Sequence, residues 1–167
     1  AEELVLGSGL GARILRTPIL FGPNAAGSQA IIGMISSGQA KLLGGGHYQM
    51  RPLDIDDLSE ALTILCSTSI QDQVTYELVG PESAPYRDII EMTAQVMGKT
   101  IAFGNVPILL AKFGAAITSI LKGGGITPTV IDVITQDEIV KTNADSALGI
   151  TLTPMKQTLK KMTSLGD

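Results

Sequence analysis

The sequence predicts an α/β fold, a parallel sheet followed by a mostly helical lobe, on three observations. As far as residue 106, short apolar runs alternate with helix-period segments, and strands alternating with helices imply a parallel sheet. Beyond residue 106 the pattern turns helical, with a long apolar run and two Thr-Pro helix starts. Hydrophobic residues make up 44% of the 167 residues, enough for a domain with a buried core.

Residues 1–6 read as the last turns of a helix, ended by Gly7 or Gly9. Ile14 to Thr17 follow as a short buried strand. Gly7, Gly9 and Ala12 fit the spacing G-x-G-x-x-A of a dinucleotide-binding turn. That turn works only between a strand and a helix, with an acidic residue about 20 positions further on. Here Pro18 and Gly22-Pro23 leave no room for the helix. No Asp or Glu occurs between Glu3 and Asp54, so the ribose ligand is missing as well.

Residues 28–37 predict a short helix ended by Gly38. Strands are expected over 40–43 and 50–55, around the loop Gly44-Gly45-Gly46-His47-Tyr48. The next helix opens at Asp56 and Asp57, either of which caps it, with Glu60 near the capping-box position. Its core spacing is Leu58, Ala61, Leu62 and Leu65. A strand over 73–79 is closed by Gly80-Pro81. Residues 85–97 form the most amphipathic helix, with Tyr86, Ile89, Ile90, Thr93, Val96 and Met97 on one face and Gly98 as the stop. A strand over 100–106 leads to an almost wholly apolar helix at 108–121. A bilayer span needs about 20 residues, so this helix is expected to be buried or to lie on a hydrophobic surface. Thr127-Pro128 and Thr153-Pro154 each pair a cap with a proline in the first turn. The expected organisation is 1–82, the sheet with an inserted loop or hairpin, and 83–167, a mixed, mainly helical lobe, packed as one compact unit.

Composition excludes several functions. With 12 basic against 16 acidic residues and a pI near 4.9, nothing points to a nucleic-acid partner. Aromatic residues are 4% and tryptophan is absent, which argues against a stacking platform. The single Cys66 cannot form an internal disulfide and fits a reducing, cytoplasmic compartment. It is expected to be a buried structural cysteine. One histidine, His47, cannot assemble a zinc site, and no metal is expected. Adjacent Asp56 and Asp57 invite a metal or acid-base reading, but successive residues point in different directions, and helix capping explains them better. Gly123-Gly124-Gly125 lacks the Gly-Lys-Ser/Thr of a P-loop and reads as a flexible connector.

Four phrases stand in an informative order: ILRTPILFGP (14–23), MRPLDIDDLSEAL (50–62), YELVGPE (76–82) with its following helix, and ALGITLTPMKQTLKKM (147–162). Together they resemble the C-terminal half of extended and atypical short-chain dehydrogenases/reductases. The nearest pattern is the NAD-dependent epimerase/dehydratase group, in the nucleoside-diphosphate-sugar-epimerase-like branch that includes the NAD(P)H-binding accessory subunit of respiratory complex I. The resemblance implies the C-terminal part of a Rossmann-like parallel sheet plus a mostly helical substrate-side lobe.

It also implies that the glycine-rich cofactor turn, the ribose-binding acid and the catalytic Tyr-x-x-x-Lys lie upstream, in a missing N-terminal half. No Tyr-x-x-x-Lys occurs here: Tyr48, Tyr76 and Tyr86 are followed four positions on by Pro52, Gly80 and Ile90. No catalytic residue is therefore expected, and the chain alone is expected to be inactive. NAD or NADP belongs to the intact protein and is not expected to be held by this chain by itself. Pro18, Ile19, Leu20 and Phe21 correspond to a segment bordering the nicotinamide end of the cofactor, largely through backbone. An ordinary strand-to-loop exit is the competing reading. Arg51 matches a position where sugar-nucleotide enzymes grip the substrate diphosphate, and His47 lies in the same loop as a second substrate contact. Solvated surface roles stay open for both.

The function implied is hydride transfer between nicotinamide and a sugar-nucleotide-like or other small carbonyl or alcohol substrate. The alternative is a non-catalytic NAD(P)H-binding accessory or assembly protein, cytoplasmic or peripheral to a membrane complex, with helix 108–121 docking a partner. With only three or four strands of the sheet in this chain, the sheet should end in an exposed edge where the missing half would pair. The isolated chain is then expected to form a homodimer, swap an element or expose apolar surface.

Overall fold

The structure, a computed structural model, describes residues 2–67, 75–122 and 127–164. In chain order the elements are α1 (Glu2–Leu6), β1 (Ile14–Arg16), β2 (Leu20–Phe21), α2 (Ala26–Ser36), β3 (Gln39–Leu43), a 3-10 turn at Gly44–Gly46, β4 (Gln49–Met50), β5 (Leu53–Asp54), α3 (Ile55–Ser67), β6 (Thr75–Glu77), β7 (Ala84–Pro85), α4 (Tyr86–Val96), β8 (Ala102–Val106), α5 (Ile108–Lys122), α6 (Pro128–Ile134), α7 (Asp145–Leu148) and α8 (Met155–Thr163). The glycine connector 123–125 and residues 73–74 of the expected strand lie outside the described residues.

The α/β class is as the sequence predicts. Three strand pairs are parallel, β1 with β6, β2 with β5 and β3 with β8, and β4 with β7 is antiparallel. The expected strand over 50–55 is divided at Arg51-Pro52, where proline has no N–H to give to a ladder. The G-x-G-x-x-A stretch runs on into β1 with no helix behind it, as Pro18 and Gly22-Pro23 dictate.

The chain weaves between two compact units. The first comprises residues 1–28, 51–82 and 139–167, and the second comprises 29–50 and 83–138. The boundary expected at 82/83 is one of the four crossings, and helix α2 carries another.

In the first unit, β5, α3, β6 and α7 bury Leu53, Ala61, Leu65, Tyr76, Leu78 and Leu148 in one cluster. Within it the Tyr76 hydroxyl has no hydrogen-bond partner among the described residues. The stripe on α3 is Leu58, Ala61 and Leu65. Leu62 and Cys66 each fall one residue past it and are exposed, which corrects the expectation that both face the core. A turn of about 100° per residue is enough to bring them round to solvent.

In the second unit, α4 buries Ile89, Ile90, Thr93 and Ala94, while β3 buries Ala40 and Leu42. The turn after β3 is closed by glycine because a Cβ on Gly46, whose φ is 73°, would stand 2.7 Å from Leu42 Cδ1. The Arg87 guanidinium lies over the Phe103 ring, 4.3 Å from its centroid. Helix α6 starts as predicted, with Thr127 Oγ1 accepting from the Val130 N–H. An ion pair between Lys112 and Asp132 joins α5 to α6.

The first turns of α5 are largely exposed. Leu109, Leu110 and Phe113 are 79%, 65% and 69% exposed. Lys112 turns toward α6 while Leu109, Leu110 and Phe113 turn outward, an inversion that hydrophobicity alone cannot reveal.

Candidate functional site

In open parallel α/β sheets, ligands bind outside the carboxyl ends of the strands. Here β1 ends at Arg16 and the chain passes through Thr17, Pro18 and Ile19 into β2. This segment is fixed from several sides. The Ile19 carbonyl accepts the Leu53 N–H at 3.1 Å, and the Gly22 N–H donates to Ser28 Oγ at 2.9 Å. A Cβ on Gly22 would stand 2.5 Å from Ile55 Cγ2, and one on Gly27 would stand 2.7 Å from Ile19 Cγ1. Gly22 leaves room for the Ile55 side chain, and Gly27 for Ile19 and the Leu20 carbonyl, to close in on the segment. Phe21 is fully enclosed, whereas Pro18, Ile19 and Leu20 keep part of their surface accessible.

Opposite Phe21 in the β2–β5 register stands Asp54, 1% exposed. Its Oδ1 accepts the Asp56 N–H at 3.0 Å, so Asp54 caps α3. This corrects the assignment of the cap to Asp56 or Asp57, because the helix begins at Ile55. Asp54 Oδ2 also accepts the Thr158 hydroxyl at 2.7 Å. Lys161 Nζ lies 3.1 and 3.2 Å from the two Asp54 oxygens and 2.8 Å from Asp56 Oδ2. Hydrogen bonding to Asp56, and then to Asp54, raises the Lys161 pKa above the ordinary lysine value.

Asp57 is buried and accepts both the Thr153 N–H, at 2.8 Å, and the Thr153 hydroxyl, at 2.7 Å. Thr153 therefore does not cap α8 as its Thr-Pro phrase predicts. The first free amide of α8, on Met155, donates instead to Glu82 Oε2 at 3.0 Å, a carboxylate at the positive end of a helix.

Arg51 lies in the same unit as the Pro18–Phe21 segment. Its Nε donates to the Gly80 carbonyl at 3.0 Å, and its own carbonyl accepts the Gly80 N–H at 3.0 Å. His47 is exposed at the end of the 3-10 turn and belongs to the other unit. Beside it, the Tyr48 and Tyr86 rings stack with centroids 5.6 Å apart. Burial pushes the Tyr48 phenol up to about 12 and raises that of Tyr86 too.

A cavity of about 380 Å³ opens in the first unit, lined by Arg16, Thr75, Glu77, Lys141 and Asn143. Arg16 grips Glu2 of α1 at 3.0 and 2.6 Å and Glu77 at 3.1 Å. Sequence reasoning passed over this cavity. Its only signal was the period-2 alternation that sets Arg16, Thr75 and Glu77 on the face opposite Leu15 and Tyr76. Among the described residues no group of three or more His, Cys, Asp or Glu side chains converges as metal ligands. No described helix is long and apolar enough to cross a membrane.

No protein-family model and no curated protein matches the sequence. Solved structures do. The chain is similar to the human epimerase family protein SDR39U1 (isoform 2), solved with NADPH, at 17% identity over 90% of this chain and 47% of that one, with a TM-score of 0.66. It is similar to RMD from Pseudomonas aeruginosa complexed with NADPH, at 14% identity over 97% and 50%, with a TM-score of 0.62. A third is UDP-glucuronic acid 4-epimerase from Bacillus cereus in complex with NAD, at 19% identity over 90% and 41%, with a TM-score of 0.59. The chain spans about half the length of the solved structures it matches. At these identities the likeness is one of fold.

Proposed function

From the fold shared with these NAD- and NADPH-bound proteins, we propose that the chain is the C-terminal, substrate-side portion of an NAD(P)-dependent epimerase- or reductase-like protein. The complete protein would move a hydride between nicotinamide and a sugar-nucleotide-like or other small carbonyl or alcohol substrate. One observation carries this reading: residues 18–20 leave the carboxyl end of a parallel strand with uncharged, apolar, partly accessible side chains. Such a surface fits the flat face of a nicotinamide and keeps water from it. The Ile19 carbonyl and the Gly22 N–H are bound within the chain, so Pro18, Ile19 and Leu20 would meet the ring, with Phe21 as their buried support. NAD(P), when bound, supplies the hydride acceptor or donor, and these residues orient it. Arg51 is the residue proposed for a substrate diphosphate, and His47 for a further substrate contact. With no Tyr-x-x-x-Lys in the chain, the proton relay would come from elsewhere in the protein.

Titrating NADH and NADPH into the full-length protein, followed by nicotinamide fluorescence, tests this. Pro18→Glu is expected to weaken binding about tenfold, or about 1.4 kcal/mol, with the melting temperature retained. Absence of binding by the wild type, or unchanged binding by the variant, overturns the reading.

The outward apolar face of α5 favours a second reading, a non-catalytic NAD(P)H-binding accessory protein that docks through it. A Tyr-x-x-x-Lys in the full-length sequence would favour the enzyme, and its loss the accessory role.

A further inference from the structure

We infer that Asp54, Thr158 and Lys161 form a positioning clamp through which the C-terminal helix α8 holds the segment Ile19–Gly22. The inference rests on the proposed reading only in calling that segment cofactor-facing.

Capping α3 requires only that one Asp54 oxygen accept the Asp56 N–H, which an exposed aspartate does equally well. Asp54 is instead 1% exposed, and its remaining acceptor positions go to α8, to the Thr158 hydroxyl at 2.7 Å and the Lys161 ammonium at 3.1 and 3.2 Å. Thr158 is itself buried. A buried carboxylate stripped of such partners is strongly disfavoured, so the corner Asp54–Ile55 and the helix α8 must move together.

That corner is in direct register with the segment. Asp54 is the ladder partner of Phe21, the neighbouring Leu53 N–H holds the Ile19 carbonyl, and Ile55 fills the space a Gly22 side chain would need. Close packing on both strands leaves no slack, and a displacement at Asp54 reaches residues 19–22 directly. Asp54, Thr158 and Lys161 thus act on the cofactor edge through Phe21 and Gly22, without touching a ligand.

Hydrogen exchange of the full-length protein, read by mass spectrometry, tests the clamp with Thr158→Val and Lys161→Met made separately. Peptides covering residues 19–22 are expected to exchange about tenfold faster, while those covering β3 and β8 keep their rates. Thr158→Ser, which retains the hydroxyl, is expected to restore protection. Uniform acceleration in both units, unchanged exchange at 19–22, or failure of the serine rescue overturns the clamp. Nicotinamide affinity measured on the same variants separates the two readings. Faster exchange at 19–22 with unchanged affinity upholds the clamp and sinks the assignment of that segment to the cofactor.

Discussion

A Cβ placed on Gly80 would stand 2.0 Å from the Pro52 carbonyl oxygen and 3.2 Å from that of Arg51. The Gly80 N–H and C=O are both already bound to Arg51. Backbone meets backbone there, and neither segment can give way without losing the tie. Gly80→Ala is accordingly expected to cost about 3 kcal/mol or more of stability, read as a fall in thermal midpoint. Gly104→Ala, whose nearest neighbour would be at 3.6 Å, is the control expected to leave the midpoint within a degree or two, since surface changes sit near ±0.5 kcal/mol. Equal midpoints for the two variants would show that Pro52 yields. At this scale the sequence misleads in small steps. Leu62 and Cys66 look apolar and inward, yet one residue of helical phase exposes them. Asp54 reads as the end of a strand, yet it is the cap.

Helix α1 buries none of its residues, and Leu4 is 80% exposed. Its polar tie to the rest of its unit is the double hydrogen bond from Arg16 to Glu2. Hydrogen bonding to the Arg16 guanidinium holds the Glu2 carboxyl below the ordinary value of 4.5. A depressed carboxyl pKa contributes attachment above the ordinary value and loses it as pH falls through the depressed one. The amides of Gly7 and Ser8, which donate to the Glu3 and Val5 carbonyls, are therefore expected to lose protection as pH falls below the ordinary carboxyl value of 4.5, ahead of β1. Glu2→Gln should abolish that pH dependence, and protection that holds through the same acid range would contradict the assignment. Elements as isolated as this one, and most of the longer ones, are legible from periodicity, glycine stops and proline. Helix α7, four residues long, and the two-residue strands β2, β4, β5 and β7 are too short to show a period. The partners of the strands are equally silent in the sequence, because pairing is set by packing of distant segments. The assignment of residues 18–21 to a cofactor comes from resemblance alone, and no local pattern carries it. The Asp54–Thr158 contact bridges 104 positions, which no local pattern encodes.

At the scale of the whole molecule, several large apolar side chains face solvent among the described residues. On the second unit, Leu109, Leu110 and Phe113 of α5 and Val130, Val133 and Ile134 of α6 are all exposed, and exposed apolar residues gathered into patches mark interaction sites or aggregation liabilities. The chain is expected to bind a dye such as anilinonaphthalene sulfonate, and Leu109→Ser with Phe113→Ser to remove most of the fluorescence. An undiminished signal would place the dye on another surface. The order in which the molecule is made matters as well. The first unit is written in three instalments, and Asp54 meets Thr158 and Lys161 only after 104 and 107 further residues. At roughly 5 to 20 residues per second, a ribosome needs on the order of 5 to 20 s to cover that gap. Throughout this interval a carboxylate destined for the interior waits in water, while all of the second unit can emerge and fold. Of the two units, the one that begins first in these residues is thus completed last, and until then its half-built core is the surface that chaperones would find.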